Sequence, residues 1–252
     1  MRLHLERACN RHALLLPRIT EEVSRALAIC HAVHQPVVPQ GGMTGLAGGN
    51  RVIQSSTACD QALGLEVVLA NGDVLTSLGK MVKNNTGYDL KHWFIGSEGT
   101  LGVITRAVLR LHPQRAARHT ALVALEIMWP DFYDFGVSLP IGGIGAFVDR
   151  CRAALDARWP GNESYFFGHI GDSNLHVTVD GHSIPGVDHQ AVYAFVYEML
   201  GPLNGSVSAE HGIGLLKREF LPISRSPAKL AAMAAVKHAL DPYGILNPGK
   251  LF

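Results

Sequence analysis

The sequence predicts an α+β fold built as two units, on three observations. An Asn71-Gly72 pair separates two apolar runs, LEVVLA and DVLTSL, as in a β-hairpin. A mixed α/β first half is followed by strand-like runs flanked by helical periodicities. Between 113 and 143 the chain changes from polar QRAARH to EIMWPDFYDFGVSLPIGG, aromatic with scattered Pro and Gly. That change puts a boundary near residue 114 and predicts units at 1–114 and 115–252. At 252 residues, the chain has room for one large domain or two small ones.

The elements follow in order. Thr20 is the expected N-cap of a first helix, with Glu21 and Glu22 in its electropositive first turn. Val23, Leu27, Cys30 and Val33 recur at helical spacing, and Pro36 ends the pattern. PVVP reads as a short strand. In the hairpin at 65–78, Asn71-Gly72 fits the two positive-φ positions of a type I′ turn. VITRAVLRLH, residues 103–112, alternates as a strand with one buried face. Phe147, Val148, Cys151 and Leu155 mark an amphipathic helix. YFFGHI and LHVTV read as strands, and residues 190–200 as a helix. Ser226-Pro227 is an N-cap and N1 pair opening a last helix, with Leu230, Met233, Val236 and Leu240 inward.

Composition narrows the function classes. A net charge of +1 without any Lys/Arg block argues against nucleic acid or an anionic membrane as partner. LGLEVVLA and ALVALEIMW are too short to span a bilayer, and each carries a Glu. The first residues show no secretory signal pattern. Cys9, Cys30, Cys59 and Cys151 are dispersed and form no C-x-x-C, which fits a reducing compartment and a cytoplasmic location.

Chemistry concentrates where glycines cluster. GGMTGLAGG, following a short strand, lets backbone N–H groups approach a phosphate with no Cβ in the way. It is neither a P-loop nor a Rossmann turn, because its glycines fall at 42, 45 and 48. A tight irregular loop is the alternative. IGSEGTLG, residues 95–102, is a second such loop with Glu98 its only charge. Two such loops favour a nucleotide-type ligand.

In GHIGDSNLH, His169 and His176 stand seven apart. If 171–174 is a four-residue hairpin loop, His169 faces His176 with Cβ atoms roughly 4.5–5.5 Å apart. Two imidazoles so placed could grip a divalent cation, and a third ligand is then needed. Asp172 is the near candidate and Glu210, in SVSAEHGIG, the distant one. His211 beside Glu210 offers a general base, because neutral imidazole accepts a proton near physiological pH. Each histidine could instead be a hydrogen-bonded structural residue. Two His and a carboxylate could also activate water, as in a metal-dependent hydrolase.

PQGGMTGLAGG, NNTGYDLKHWFIGSEGTLGVIT, VSLP, FGHIGDSNLH, GSVSAEHGIG and LDPYGILNPGK occur in that order. Together they resemble the FAD-linked oxidase family of the vanillyl-alcohol-oxidase type, in its D-2-hydroxyglutarate and D-lactate dehydrogenase-like branch. The resemblance implies a PCMH-type FAD-binding domain followed by an FAD-linked oxidase C-terminal domain, a ferredoxin-like cap. It implies oxidation of a D-2-hydroxyacid, with FAD and a divalent metal, zinc, as cofactors. Pro39, Gly41, Gly42, Met43, Thr44, Gly45 and Leu46 then wrap the FAD pyrophosphate. Asn85, Thr86 and Gly87, the loop Ser97, Glu98, Gly99 and Thr100, and Ile104 also line the FAD, and Asn247 lies near the isoalloxazine. His169, His176 and Glu210 correspond to the metal ligands, and His211 to the base that takes the hydroxyl proton.

The chain departs from that pattern. GGN at 48–50 runs straight into RVIQSSTACDQALGLEVV, where the family has a long intervening stretch. The region between ALVAL and FGVSLP is also short; it normally supplies Arg and Lys for the substrate's far carboxylate. Ser173 stands where the family motif has Gly. Losing those segments removes strands from two sheets and exposes edges, which predicts association between copies. The abridgement also admits a second reading, an inactive remnant or a metal-binding interaction module of the same family.

Overall fold

The structure is a computed structural model and describes residues 14–40, 62–79, 88–110 and 132–251. Helix α1 (Thr20–Ala32) precedes a three-stranded antiparallel sheet of β1 (Ala62–Val68), β2 (Val74–Ser77) and β3 (Val103–Leu109), in the order β2-β1-β3. A second antiparallel sheet, order β4-β6-β5, comprises β4 (Phe132–Ser138), β5 (Ser164–Phe167) and β6 (Asn174–Asp180). Helices α2 (Ile144–Arg158) and α3 (His189–Glu198) cover one face of it, and α4 (Pro227–Leu240) follows. Sheets with segregated helices make this an α+β fold, as the sequence predicts. Among the described residues, no helix is long and apolar enough to cross a membrane.

Alternation builds the second sheet. Tyr133, Phe135 and Val137 on β4 and Leu175, Val177 and Val179 on β6 point into a core closed by Phe147, Cys151 and Leu155 of α2 and Val192, Val196 and Tyr197 of α3. The intervening residues, Asp134, Gly136, His176 and Thr178, fall on the opposite face. The aromatic stretch before VSLP is therefore a strand, which its interleaved Tyr133, Phe135 and Val137 encode.

The first unit has a smaller core, made from separated segments. Leu27 of α1 and Val68 and Ala70 of the hairpin pack with Ile245 and Leu246 from beyond α4. Val37 N–H donates to the Ile245 carbonyl at 2.7 Å, and Asn247 N–H returns to the Val37 carbonyl at 2.9 Å. PVVP thus pairs through a single parallel bridge, Val37 with Leu246. The LDPYGILNPGK motif is shaped by Asp241, 2% exposed, whose carboxylate accepts from Ile245 N–H at 3.0 Å and Leu246 N–H at 2.9 Å. Lys237 bonds the same carboxylate, and its Nζ also donates to the carbonyls of Thr100 and Leu246.

Four local expectations change. Ile19, not Thr20, occupies the N-cap of α1, because the Thr20 hydroxyl donates to Glu66 on β1 at 2.5 Å. The turn after β1 is not type I′: of Asn71 and Gly72 only Gly72 has positive φ, at 91°. Its N–H donates to the Leu69 carbonyl at 3.0 Å, and Asn71 Oδ1 accepts from Asp73 N–H, so a local side-chain turn replaces the tight one. The second hairpin pairs Phe167, not His169, with His176. Gly168, at φ 149°, lies so close to the Asn174 carbonyl that an added Cβ would approach it at 2.5 Å, and the ladder ends there. Finally, Leu230, Met233, Val236 and Leu240 are only half-buried. Met233 and Val236 instead line an open apolar cavity of about 300 Å³ with Trp93, Ile95 and Leu101.

One carboxylate ties the glycine loop at 95–102 to the segment that follows His211. Glu98 Oε1 accepts from Ile213 N–H at 2.6 Å and Oε2 from Gly214 N–H at 2.8 Å. Burial pushes this carboxyl above the ordinary range, and the two N–H donors oppose that shift. Replacing Glu98 by Ala strands two backbone donors and is expected to cost roughly 2–4 kcal/mol in denaturant unfolding, with Glu98→Gln milder because it keeps one acceptor.

The 206–217 segment also encloses a cation. Lys217, 6% exposed, donates from Nζ to the Val207 carbonyl at 3.1 Å. Burial holds its ammonium down from the ordinary 10.5 to about 8, with Asp134 and Glu98 opposing. Below about pH 8 both folded and unfolded chains carry the proton, and the folded state bears the full cost of burial. Between about 8 and 10.5 only the unfolded chain remains protonated, so stability rises with pH. The stability of the wild type relative to Lys217→Met is therefore expected to increase by up to about 3 kcal/mol across that window, read from paired denaturation curves.

Candidate functional site

The face of the second sheet away from its core carries the polar groups. Gly136 pairs with His176 and Asp134 with Thr178 across β4 and β6. Phe167 of β5 completes the His176 row, its ring stacked on the imidazole at 5.1 Å between centroids. Beyond β4, residues 206–209 run along its free edge. Ser138 and Ser206 exchange two backbone hydrogen bonds, at 3.0 and 2.8 Å, and Ala209 N–H donates to the Gly136 carbonyl at 3.0 Å.

This edge pairing delivers Glu210 and His211. Gly212 and Gly214, at φ 73° and 53°, then turn the chain in a conformation that favours glycine. His211 lies over the strand: a Cβ built on Gly136 would stand 3.5 Å from its ring and 3.6 Å from that of His176. The two imidazole centroids are 6.4 Å apart. Burial lowers the proton affinity of His211 below the ordinary imidazole value, and the Lys217 charge lowers it further. Glu210 and Asp134 act the other way.

The expected metal ligands do not converge. Glu210 Oε1 accepts from Asn174 Nδ2 at 2.6 Å. His169 is exposed at the hairpin end, where its carbonyl takes the N–H of Asn174. His176 Nδ1 lies 3.5 Å from an Asp134 oxygen. Among the described residues, no three His, Cys, Asp or Glu form a group that could hold a metal ion. The cause is the hairpin register, which sets Asn174 rather than His176 opposite His169. Ser173, in the glycine position of the family pattern, has φ 66°, a left-handed conformation that glycine adopts freely.

The expected flavin residues divide. Gly41, Gly42, Met43, Thr44, Gly45 and Leu46, with Asn85, Thr86 and Gly87, lie outside the described residues, as does the abridged junction at 48–50. Pro39 is half-buried beside the Val37 bridge, and Ile104 pairs with Val67. Ser97, Gly99 and Thr100 are buried, and the Thr100 hydroxyl donates to the Ser97 carbonyl at 2.6 Å. Asn247, 2% exposed, donates from Nδ2 to the Glu98 carbonyl at 2.5 Å. Its Oδ1 is buried without a partner. A buried acceptor left open beside a glycine loop fits a ligand that brings its own N–H.

Sequence reasoning missed Asp134, Asn174, Thr178 and Lys217. Asp134 and Thr178 were legible in principle, as the polar members of alternating strands. Asn174 and Lys217 carry no local signal, because their roles come from contacts across the fold.

Comparison with known proteins places these features in a family. Residues 111–251 match the sequence family described as FAD linked oxidases, C-terminal domain. A D-2-hydroxyglutarate dehydrogenase of Stutzerimonas stutzeri is 28% identical over 84% of this chain and 69% of its own length. The mitochondrial D-2-hydroxyglutarate dehydrogenase of Bos taurus is 29% identical, over 84% of this chain and 58% of its own. Glycolate oxidase subunit GlcD of Bacillus subtilis is 26% identical over 84% and 67%. The first of these alignments spans 325 positions, more than the 252 residues of this chain, so that relative carries internal segments with no counterpart here. With a family match over more than half of its length, the chain belongs to the FAD-linked oxidases.

Proposed function

We propose that this chain is an FAD-dependent oxidoreductase that converts a D-2-hydroxyacid to the 2-oxoacid, with His211 as the base. The observation that carries the reading is the join between two of its glycine-containing loops. Glu98 of the GSEGT loop holds the backbone of Ile213 and Gly214, immediately after His211. If the first loop lines FAD, this join would set His211, carried by the second loop, on the same side of the chain as the cofactor. Several relatives are named for 2-hydroxyacid oxidation.

FAD supplies the hydride acceptor when bound. The chain supplies the proton acceptor and its placement. Burial and the Lys217 charge keep the His211 imidazole neutral near pH 7, so its free ring nitrogen can take the proton of a substrate hydroxyl. The Asn247 side chain holds the Glu98 carbonyl and leaves its own buried oxygen unpartnered, an acceptor that bound FAD would be able to use. A division into a flavin-binding unit at 1–114 and a cap at 115–252 is part of this reading.

A zinc at His169, His176 and Glu210 is the finer part of the proposal. Two imidazoles and a carboxylate are donor types that zinc takes. In the structure they do not form a ligand group, so no step here runs through a metal. The abridgement supports the second reading, a remnant or interaction module that lacks flavin chemistry.

Purified protein is expected to take up FAD, show a flavin spectrum, and bleach on anaerobic addition of D-2-hydroxyacids. A colourless protein that refuses added FAD overturns the proposal in favour of the remnant. Replacing His211 by Gln is expected to slow flavin reduction roughly a hundred- to ten-thousand-fold with FAD content unchanged. Zinc measured by elemental analysis in the wild type, and lost in both His176→Ala and Glu210→Ala, is the result expected for the metal set.

A further inference from the structure

The charges on the site face bear on which 2-hydroxyacid it accepts, given the function proposed above. Asp134 stands on β4 beside Gly136, its side chain 43% exposed to solvent. The Thr178 hydroxyl donates to its Oδ1 at 3.2 Å, and His176 Nδ1 lies 3.5 Å from the same oxygen. The carboxylate is thus held on the open face by two neighbours. Its charge reaches His211, the group that would meet the substrate hydroxyl. Glu210, also exposed, adds a second negative charge at His211.

The cation on this side is enclosed. Lys217 is buried, bonded to the Val207 carbonyl and set over the Tyr197 ring at 5.8 Å. Its charge acts on His211 from inside the fold. Among the described residues, Phe167 and Tyr165 add open aromatic surface beside His176, 55% and 40% exposed. A substrate tail leaving the reacting carbon across this face meets a fixed carboxylate and ring surfaces. A tail ending in a carboxylate is repelled there, while a short, apolar or hydroxylated tail is not.

We infer that Asp134 is a specificity-determining residue that turns away 2-hydroxyacids bearing a second carboxylate, so that the substrate is a monocarboxylic 2-hydroxyacid with a neutral side chain. This differs from the dicarboxylate in the names of several relatives.

The test compares D-lactate with D-2-hydroxyglutarate on FAD-loaded wild type, Asp134→Asn and Asp134→Lys. Two readouts are taken: anaerobic flavin reduction, and equilibrium binding by ligand-observed NMR, which needs no turnover. Wild type is expected to favour D-lactate at least tenfold in both. Asp134→Asn should raise the ratio of D-2-hydroxyglutarate to D-lactate at least tenfold, Asp134→Lys should raise it further, and added salt should narrow the wild-type gap. If Asp134 acts only by orienting His176, both acids shift together and the ratio stays fixed, which overturns the inference. A wild type that prefers the dicarboxylate, or that binds neither acid, also overturns it. Selective binding of D-lactate without flavin reduction would sink the oxidoreductase reading while leaving the role of Asp134 intact.

Discussion

The Glu98 carboxylate is the constraint on which the rest of the site depends. Its backbone sits at φ 53°, a conformation that costs a non-glycine residue on the order of 1 kcal/mol or more. Two hydrogen bonds to the N–H groups of Ile213 and Gly214 offset that cost, and they fix where the following loop can lie. The same residue's carbonyl is held by Asn247, which is anchored through Val37 to the first core. Three segments distant in sequence, near residues 98, 213 and 247, therefore meet at one side chain. Gly99 and Gly212, beside these contacts, have φ of 68° and 73°, left-handed values that glycine adopts freely.

From that join the electrostatics of the site follow. His211 is partly buried and feels the charges of Lys217, Glu210 and Asp134. Burial and the lysine charge favour the neutral imidazole, the form a base requires. The two carboxylates temper this and leave the exposed side of the site negative. Lys217 can stay inside because Asp134 and Glu98 lie near enough to support its charge and because Val207 gives it an acceptor. Removing Asp134 would therefore act on Lys217 and His211 together.

Much of the fold was legible because it rests on local periodicity. The alternation of LHVTV and the spacing of Phe147, Cys151 and Leu155 mark the elements that form the second core. Ser226 caps α4 as expected, accepting from Lys229 N–H. What escaped depended on the third dimension. His169 and His176 are at the right separation for a four-residue loop, yet Gly168 ends the ladder earlier and shifts the pairing by two residues. Thr20 has the chemistry of a cap, but a buried Glu66 forty-six residues away claims its hydroxyl. The Asp134 strand was hidden by Pro and Gly on either side, which read as loop even though the residues between them alternate. The cofactor assignments at Glu98 and Asn247 came from family likeness; composition alone showed a glycine loop.

The two hydrophobic cores differ in how local they are. The second core draws its fully buried residues from one stretch of chain, β4 to Val207. It can keep its shape with segments missing upstream. The first core is assembled from α1, the β1 hairpin and the Ile245-Leu246 return, and the inward stripe of α4 remains half-exposed around an apolar cavity. Stability there leans on the Lys237–Asp241 clamp and on Glu98 rather than on buried area. His211 thus hangs on the second sheet through the Ala209–Gly136 bond, whereas Glu98 is tied through Asn247 to the first core. Binding FAD to the folded first unit would then stabilise the part of the chain with the least core of its own.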